Sequence, residues 1–481
     1  MCALASDNAD MISFRPLLLA RLSDFVETRM GLHFPAARLG DLERGICSAA
    51  GEFGFKNVEL CIEWLLSSVL SGSQIKILAG HLTVGETYFF REKRIFEILE
   101  AHVLPEIIDS RRGREQNLRI WSAACSTGEE PYSVAILLAR ILPDLKDWNS
   151  TILATDIAPL SLKKASAGVY REWSFRDTPR WVKDGYFKKI KQQFEIAPHI
   201  RRMVTFSCLN LAEDPYPAII NATNAMDIIF CRNVLMYFSR DRANAVIHNL
   251  SRCLVDGGWL VVSPVDVPGT KFPSILHPVY FPGALLFKKG TNPKDDILRP
   301  TTMPEISMAI QKPAVVVTTK KITHSVRAKR QDKVPPAPDP AVSDIGKMSN
   351  QARLLADQGK LADALAVCEE AIQYAKLNPV LHYLQATILQ EMGRVGAAAA
   401  SLKRALYIDQ EFTIAHFSLG HLMLRQGKYK EAGRHLEKAR SLLRVYEHGD
   451  IPPEAEGISA GRLIELITTM QGIEGRRCMH E

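Results

Sequence analysis

The sequence predicts an α/β chain in three parts: a small N-terminal helical domain, a doubly wound sheet and a C-terminal α-helical solenoid. Two patterns carry this prediction. Between residues 118 and 288, short apolar runs that end in polar residues alternate with helix-periodic segments, as in a parallel sheet with crossover helices. Further on, small residues recur in a 34-residue register: Ala352, Ala386 and Gly420; Gly359, Gly393 and Gly427; Ala364, Ala398 and Ala432; Ala371, Ala405 and Ala439. Small side chains at fixed offsets let paired helices cross closely.

At 481 residues the chain has room for about two to four domains. Its nine cysteines are odd in number, scattered and never spaced as CxxC, which argues for a reducing compartment and against a disulfide framework or a zinc site. No metal is expected. No uncharged apolar run approaches the roughly 20 residues of a membrane span, and the N-terminus is acidic where a signal peptide is basic. A cytoplasmic protein without membrane insertion is the expectation. The net charge of +7 is modest for this length and does not point to nucleic acid.

Residues 11–82 carry helical periodicity broken at Gly31, Pro35, Gly51, Gly54 and Gly72, with an apolar stripe through Leu60, Ile62, Trp64, Leu65 and Val69. Four or so helices are expected, and a structural cap is their plainest role. The segment TVGETYFFRE (83–92) follows. Its Phe-Phe-Arg run reads either as core packing with a solvated guanidinium or as an arginine anchored by Phe89 and Phe90 and aimed into a cleft. Arginine suits a carboxylate because its fork binds both oxygens.

Residues 118–133, LRIWSAACSTGEEPYS, read as a strand, a tight turn and a helix whose first turn carries Pro131 and two acids. With one glycine the turn is no phosphate loop. Glu129 and Glu130 would repel a pyrophosphate and could accept from ribose hydroxyls or an amino group, so a nucleoside-type site stands beside an ordinary strand–helix turn. STILATDI (150–157) ends in Asp156, placed to accept from both ribose hydroxyls of a nucleoside. MVTFSCLNL (203–211) ends at Asn210, and MDIIFCRNVLMYF (226–238) enters an Arg232-Asn233 turn and the pair Tyr237-Phe238. Segments 258–262 and 279–288 supply the last strands. The stretch 163–202 is the most basic part of the chain, either a solvated face or a docking surface for an acidic partner.

In this order and spacing, TVGETYFFRE, WSAACSTGEEPYS, ATDI, SCLNL and IFCRNVLMYF resemble the CheR-type chemotaxis receptor methyltransferases across roughly residues 11–290. The resemblance implies a Rossmann-like methyltransferase sheet with a small β-subdomain beside the helical domain. It implies S-adenosylmethionine as cofactor, S-adenosylhomocysteine as product, and esterification of glutamate side chains on the helical signalling region of methyl-accepting chemoreceptors. Carried over by motif, the cofactor contacts are Thr87, Arg91, Glu130, Asp156, Asn210, Leu211, Arg232 and Asn233, with Arg91 and Tyr237 nearest the reacting carboxylate. Two departures stand out. Gly85 replaces a common Asn, deleting one side-chain contact to the cofactor. Ser263-Pro264-Val265-Asp266 replaces a GHSES-like run, which removes the basis for expecting substrate contacts there. Cys125 and Cys231 read as small core residues rather than nucleophiles. The family's β-subdomain falls in the basic stretch; 186–206 looks compact and lacks the glycine-bearing loop of peptide-binding members, so no tether peptide is expected.

Residues 291–344 are proline-rich with a basic cluster at Arg327, Lys329 and Arg330, a flexible linker spanning on the order of 40 Å. The 34-residue register over 345–447 is similar to three tetratricopeptide (TPR) repeats, and 448–481 holds a capping helix, with Leu463, Ile464, Leu466 and Ile467 on one stripe, and a tail. A peptide or protein partner of this module is expected, held by a tether that raises effective substrate concentration. The predicted units are therefore 11–82, 83–290, 291–344, 345–447 and 448–481. A rival reading takes the departures at Gly85 and 263–266 as marks of a catalytically weakened, cofactor-binding scaffold that acts through its repeats. A nucleic-acid methyltransferase is disfavoured, because FCRN lacks the D/NPPY type of sequence and no interleaved basic and aromatic patch is present.

Overall fold

The computed structural model describes residues 16–68, 70–83, 85–113, 116–218, 221–290 and 340–477. In the N-terminal part, helices Pro16–Met30, Leu39–Glu52, Val58–Ser67 and Gly72–Leu82 enclose Leu22, Val26, Leu42, Ile46, Ile62, Leu65 and Leu78. The Asn57 side chain caps the third helix by accepting from Leu60 N at 3.2 Å, and Ser71 and Gln74 form a capping box on the fourth. Leu60, assigned by periodicity to the apolar stripe, is instead 55% exposed. It lies about 200° round the helix from the buried Ile62. Val69 lies outside the described residues.

Ten strands follow: β1 (Asn117–Ala123), β2 (Asn149–Asp156), β3 (Val169–Arg171), β4 (Phe187–Ile190), β5 (Gln193–Ile196), β6 (Val204–Cys208), β7 (Met226–Cys231), β8 (Leu254–Val262), β9 (Leu276–Phe281) and β10 (Ala284–Lys289). Seven form one sheet in the order β6-β2-β1-β7-β8-β10-β9. The pairs β2/β6, β1/β2, β1/β7 and β7/β8 are parallel, and β10 runs antiparallel to both β8 and β9. The parallel sheet expected from the alternation is thus extended at one edge by an antiparallel pair. Two residues separate β9 from β10, too few for the crossover that a parallel pair needs. Along β1, Leu118 and Ile120 pack on one face and Trp121 and Ala123 on the other, so the sheet is covered on both sides. Strand order reverses between β1 and β7, and the crevice at their carboxyl ends is where such sheets bind ligands.

The remaining strands make a three-stranded antiparallel sheet, β3-β5-β4, within the basic stretch. Lys191 and Gln192 alone turn β4 into β5, with Lys191 at φ 56°. Phe89 threads into this unit, stacked at 5.0 Å on Phe175 and edge-on to Tyr170 and Phe187 at 4.9 Å.

The C-terminal part is three helix pairs, Pro340–Asp357 with Leu361–Tyr374, Pro379–Glu391 with Val395–Ile408, and Thr413–Arg425 with Tyr429–Leu443, closed by Ala460–Arg477. The register glycines Gly359, Gly393 and Gly427 follow the first helix of each pair at φ 75°, 73° and 74°, which favours a residue without a Cβ. At Gly420 a Cβ would stand 2.7 Å from Leu436, so the crossing there requires glycine. Leu463 and Ile467 of the last helix are fully buried against the solenoid. Most of the expected linker lies outside the described residues, and its last five residues, 340–344, already belong to the first solenoid helix. The solenoid is docked on the sheet unit. Asn149 Nδ2 donates to the Glu391 carbonyl at 2.9 Å and Asn224 Nδ2 to Glu391 Oε1 at 2.7 Å.

Candidate active site

The five motifs meet because strand ends and the segment before β1 converge on one crevice. The segment 83–91, the turn after β1, and the residues after β2, β6 and β7 line an open cleft of about 990 Å3. Met30, Leu32 and Phe238 complete its wall, the last two paired across the helical and sheet units. All nine residues singled out from the sequence line this cleft: Thr87, Arg91, Glu130, Asp156, Asn210, Leu211, Arg232, Asn233 and Tyr237.

The turn after β1 is conformationally demanding. Ala124, Ser126 and Gly128 take φ of 62°, 49° and 93°, and a Cβ on Gly128 would come 2.8 Å from Ala165. Asp156 holds the turn in place: Oδ2 accepts from Ser126 N at 2.8 Å and Oδ1 from Ala158 N at 2.9 Å. Burial raises its pKa, and those backbone N–H groups work against the rise. Each carboxylate oxygen keeps a further lone pair for a ligand.

The two adjacent acids separate in space. Glu129 is buried, accepting from Thr127 Oγ1 at 2.7 Å and Ser174 Oγ at 2.9 Å, and burial raises its pKa. Glu130 lines the cleft, accepting from Ser122 Oγ at 2.7 Å and Arg232 Nη1 at 2.9 Å. The Arg232 side chain is 2% exposed, and its other amino group donates to the Arg91 carbonyl at 2.7 Å and pairs with Glu92 at 3.3 Å. The guanidinium read from the sequence as a cofactor contact is therefore engaged in joining Glu130 to the 91–92 turn.

The turn after β7 is built the same way. Asn233 sits at φ 56°, its N–H and that of Met236 donate to the buried Asp266 carboxylate, and its Nδ2 donates to Ser263 Oγ at 3.1 Å. Ser263 Oγ in turn donates to Glu92 Oε1 at 2.8 Å. The 263–266 run, read as a departure from the expected pattern, thus supplies the scaffold of the Asn233 turn. After β6, Asn210 Oδ1 accepts from Ala212 N at 3.0 Å in a local turn.

Arg91 follows the buried Phe89 and Phe90 and lines the cleft, its Nη1 donating to the Glu86 carbonyl at 2.9 Å. Of its two sequence readings, the structure has the anchored arginine facing a cleft. Tyr237 is half-buried, with the Arg38 guanidinium 4.8 Å over its ring and its pKa raised by burial. Gly85 accepts from Ser126 Oγ at 3.1 Å through its carbonyl, and a Cβ there would approach that oxygen to 3.1 Å. Cys125 and Cys231 are buried, and burial pushes both thiols well up, which disfavours the reactive thiolate. The sequence reading missed the supporting set Glu92, Ser122, Ser126, Ser263 and Asp266. Its only local sign is position: each sits at or just past a strand end or within a quoted motif.

The lining combines the acids Glu130 and Asp156 with the apolar walls Met30, Leu32, Leu209 and Leu211. That chemistry suits a ligand with cationic groups, a ribose diol and a flat apolar base, and it suits a phosphate poorly.

Comparison with known proteins agrees. Residues 85–267 match the CheR methyltransferase, SAM binding domain, and residues 348–370 and 414–438 match the tetratricopeptide repeat. A probable biofilm formation methyltransferase WspC of Pseudomonas aeruginosa is 27% identical over 87% of this chain and 97% of its own length. A chemotaxis protein methyltransferase of Borreliella burgdorferi is 30% identical over 51% of this chain and 86% of its own length, and a probable one of Rhizobium etli is 34% identical over 41% and 73%. The chain belongs to the CheR methyltransferase family, takes S-adenosylmethionine as its cofactor, and carries tetratricopeptide repeats behind its methyltransferase sheet.

Proposed function

We propose that this methyltransferase esterifies glutamate side-chain carboxylates on the helical signalling region of chemoreceptor-like proteins. One observation carries the reading: residues from five separated motifs line a single cleft at the carboxyl ends of the central strands. The chain's similarity to chemotaxis and biofilm-formation methyltransferases supports it.

S-adenosylmethionine supplies a methyl group activated by a sulfonium charge. The chain has to bind, align and exclude water. In this reading Thr87, Glu130, Asp156, Asn210, Leu211 and Asn233 hold the cofactor, and Arg232 acts on it through Glu130. Arg91 offers a fork to the incoming carboxylate. Tyr237 donates a hydrogen bond to it, and the burial that raises the phenol's pKa keeps that proton in place. No general base is required, because a glutamate carboxylate is ionised at neutral pH. Alignment alone contributes on the order of 7 to 11 kcal/mol, and the Met30 and Leu32 wall keeps the site dry as opposite charges neutralise.

The solenoid's role in this reading is partner recruitment. Part of its surface is already engaged: Arg353, on the first helix, pairs with Glu454 and Glu456 of the chain's own 448–459 segment, whose Ala455 and Ile458 are buried in the solenoid core.

The test is transfer of labelled methyl from S-adenosylmethionine to membranes bearing candidate chemoreceptors, followed by mild alkaline treatment. Volatile label released as methanol supports carboxyl esterification. Cofactor binding without incorporation across several receptors replaces this reading with the scaffold.

A further inference from the structure

The last helix does more than cap the solenoid. Arg462, two residues into Ala460–Arg477, is partly buried at the junction with the sheet unit, its side chain 16% exposed. Its Nη2 donates to the Cys208 carbonyl at 2.6 Å and to Asp214 Oδ2 at 2.9 Å. The same Asp214 oxygen accepts from Asn210 N at 2.7 Å. One guanidinium therefore grips both ends of the loop that leaves β6, and that loop presents Leu209, Asn210 and Leu211 to the cleft. The other amino group donates to Glu465 Oε2 at 3.1 Å, an oxygen that also accepts from Lys76 Nζ at 2.8 Å. Lys76 lies on Gly72–Leu82, the helix that runs into Thr83 and Gly85, which also line the cleft. Two cations and two anions thus connect the 208–214 loop and the helix leading into Thr83 to a helix more than 240 residues further along the chain.

We propose that Arg462 is a positioning residue for the cofactor site: from the C-terminal helix it fixes the 208–214 loop in the conformation that receives the cofactor. The solenoid is then a structural part of the methyltransferase site. The inference rests on the proposed contact of Asn210 and Leu211 with the cofactor. Arginine suits the task because a carbonyl, Asp214 and Glu465 are reached at once by a rigid fork, whereas lysine offers a single point charge.

The experiment uses the full chain and two variants, Arg462→Ala and Arg462→Lys. Dissociation constants for S-adenosylhomocysteine are measured by calorimetry, and amide exchange of residues 208–214 by mass spectrometry. The expected result for Arg462→Ala is a rise in Kd of about tenfold or more, as for loss of charged hydrogen bonds, with faster exchange confined to the loop. Arg462→Lys falls between it and the parent, and the KM for cofactor rises more than kcat falls. Equal Kd in the parent and Arg462→Lys overturns the proposal even where Arg462→Ala fails to fold. A parent that binds no S-adenosylhomocysteine overturns the cofactor assignment as well. A parent that binds it as tightly as both variants overturns the positioning role alone.

Discussion

Arg91 and Asp156 answer different questions about the cleft. Arg91 is held by buried phenylalanines and a single bond to the Glu86 carbonyl, which leaves most of its donors for a ligand. Arg91→Ala is therefore expected to abolish transfer, by about 100-fold or more, while the chain stays folded; an unchanged rate in the labelled-methyl assay removes Arg91 from the site. Asp156 touches two backbone amides that shape the turn after β1, so Asp156→Ala should act chiefly on cofactor binding, by about 1–3 kcal/mol. An unchanged dissociation constant for S-adenosylhomocysteine contradicts that assignment. At this scale the sequence singled out residues that line one cleft, without showing how their side chains are engaged. Glu129 and Glu130 are adjacent acids, yet about 100° of helical rotation sends Glu129 to Ser174, just past β3, and Glu130 into the cleft. Arg232 was read as a cofactor contact because nothing local reveals that Glu130, Glu92 and the Arg91 carbonyl converge on it.

The turns are where strain and support meet. Phe90, Glu92, Ala124, Ser126 and Asn233, all non-glycine, take φ between 49° and 62°, and each lies on or beside the cleft. Such backbone persists only where the surroundings over-determine it. For the Asn233 turn that support is Asp266, 2% exposed, whose carboxylate accepts from two backbone amides. Asp266→Ala leaves both amides buried without a partner and should cost about 1–3 kcal/mol for each. Asp266→Asn keeps one acceptor oxygen and should cost less. Urea midpoints together with cofactor affinity check this: a milder effect of Ala than of Asn contradicts it. Strands ending in polar residues were readable from alternation, and so was the solenoid, since its glycines answer to local backbone demands at φ 73° to 75°. The antiparallel edge and the Asp266 support were not, because pairing partners and buried acceptors are set by residues distant in sequence.

At the scale of the whole molecule, the solenoid is docked on the sheet unit, and the interface chemistry decides how firmly. Glu391 ends the first helix of the second pair and is 7% exposed. Its Oε1 accepts from Asn224, but its Oε2 is buried with no hydrogen-bond partner among the described residues. Burial raises its pKa above the ordinary carboxylate value of 4.5, with Arg119 and the Asn224 bond opposing the rise. A raised pKa means that the folded chain binds the proton more tightly than the unfolded one. The benefit is complete below about 4.5 and is lost as pH rises through the folded value, so the ionised form of this buried carboxyl is the one that works against the docked state. Glu391→Gln keeps an oxygen for Asn224 and removes that charge. It should raise the thermal midpoint at neutral pH by about 2 °C, with the advantage shrinking as the solution is acidified. Amide exchange at Asn149 and Asn224 should slow in parallel, since both side chains close on this one residue. A lower midpoint for Glu391→Gln at neutral pH would show that Arg119 compensates the carboxylate fully, and that the charge holds the solenoid against the sheet.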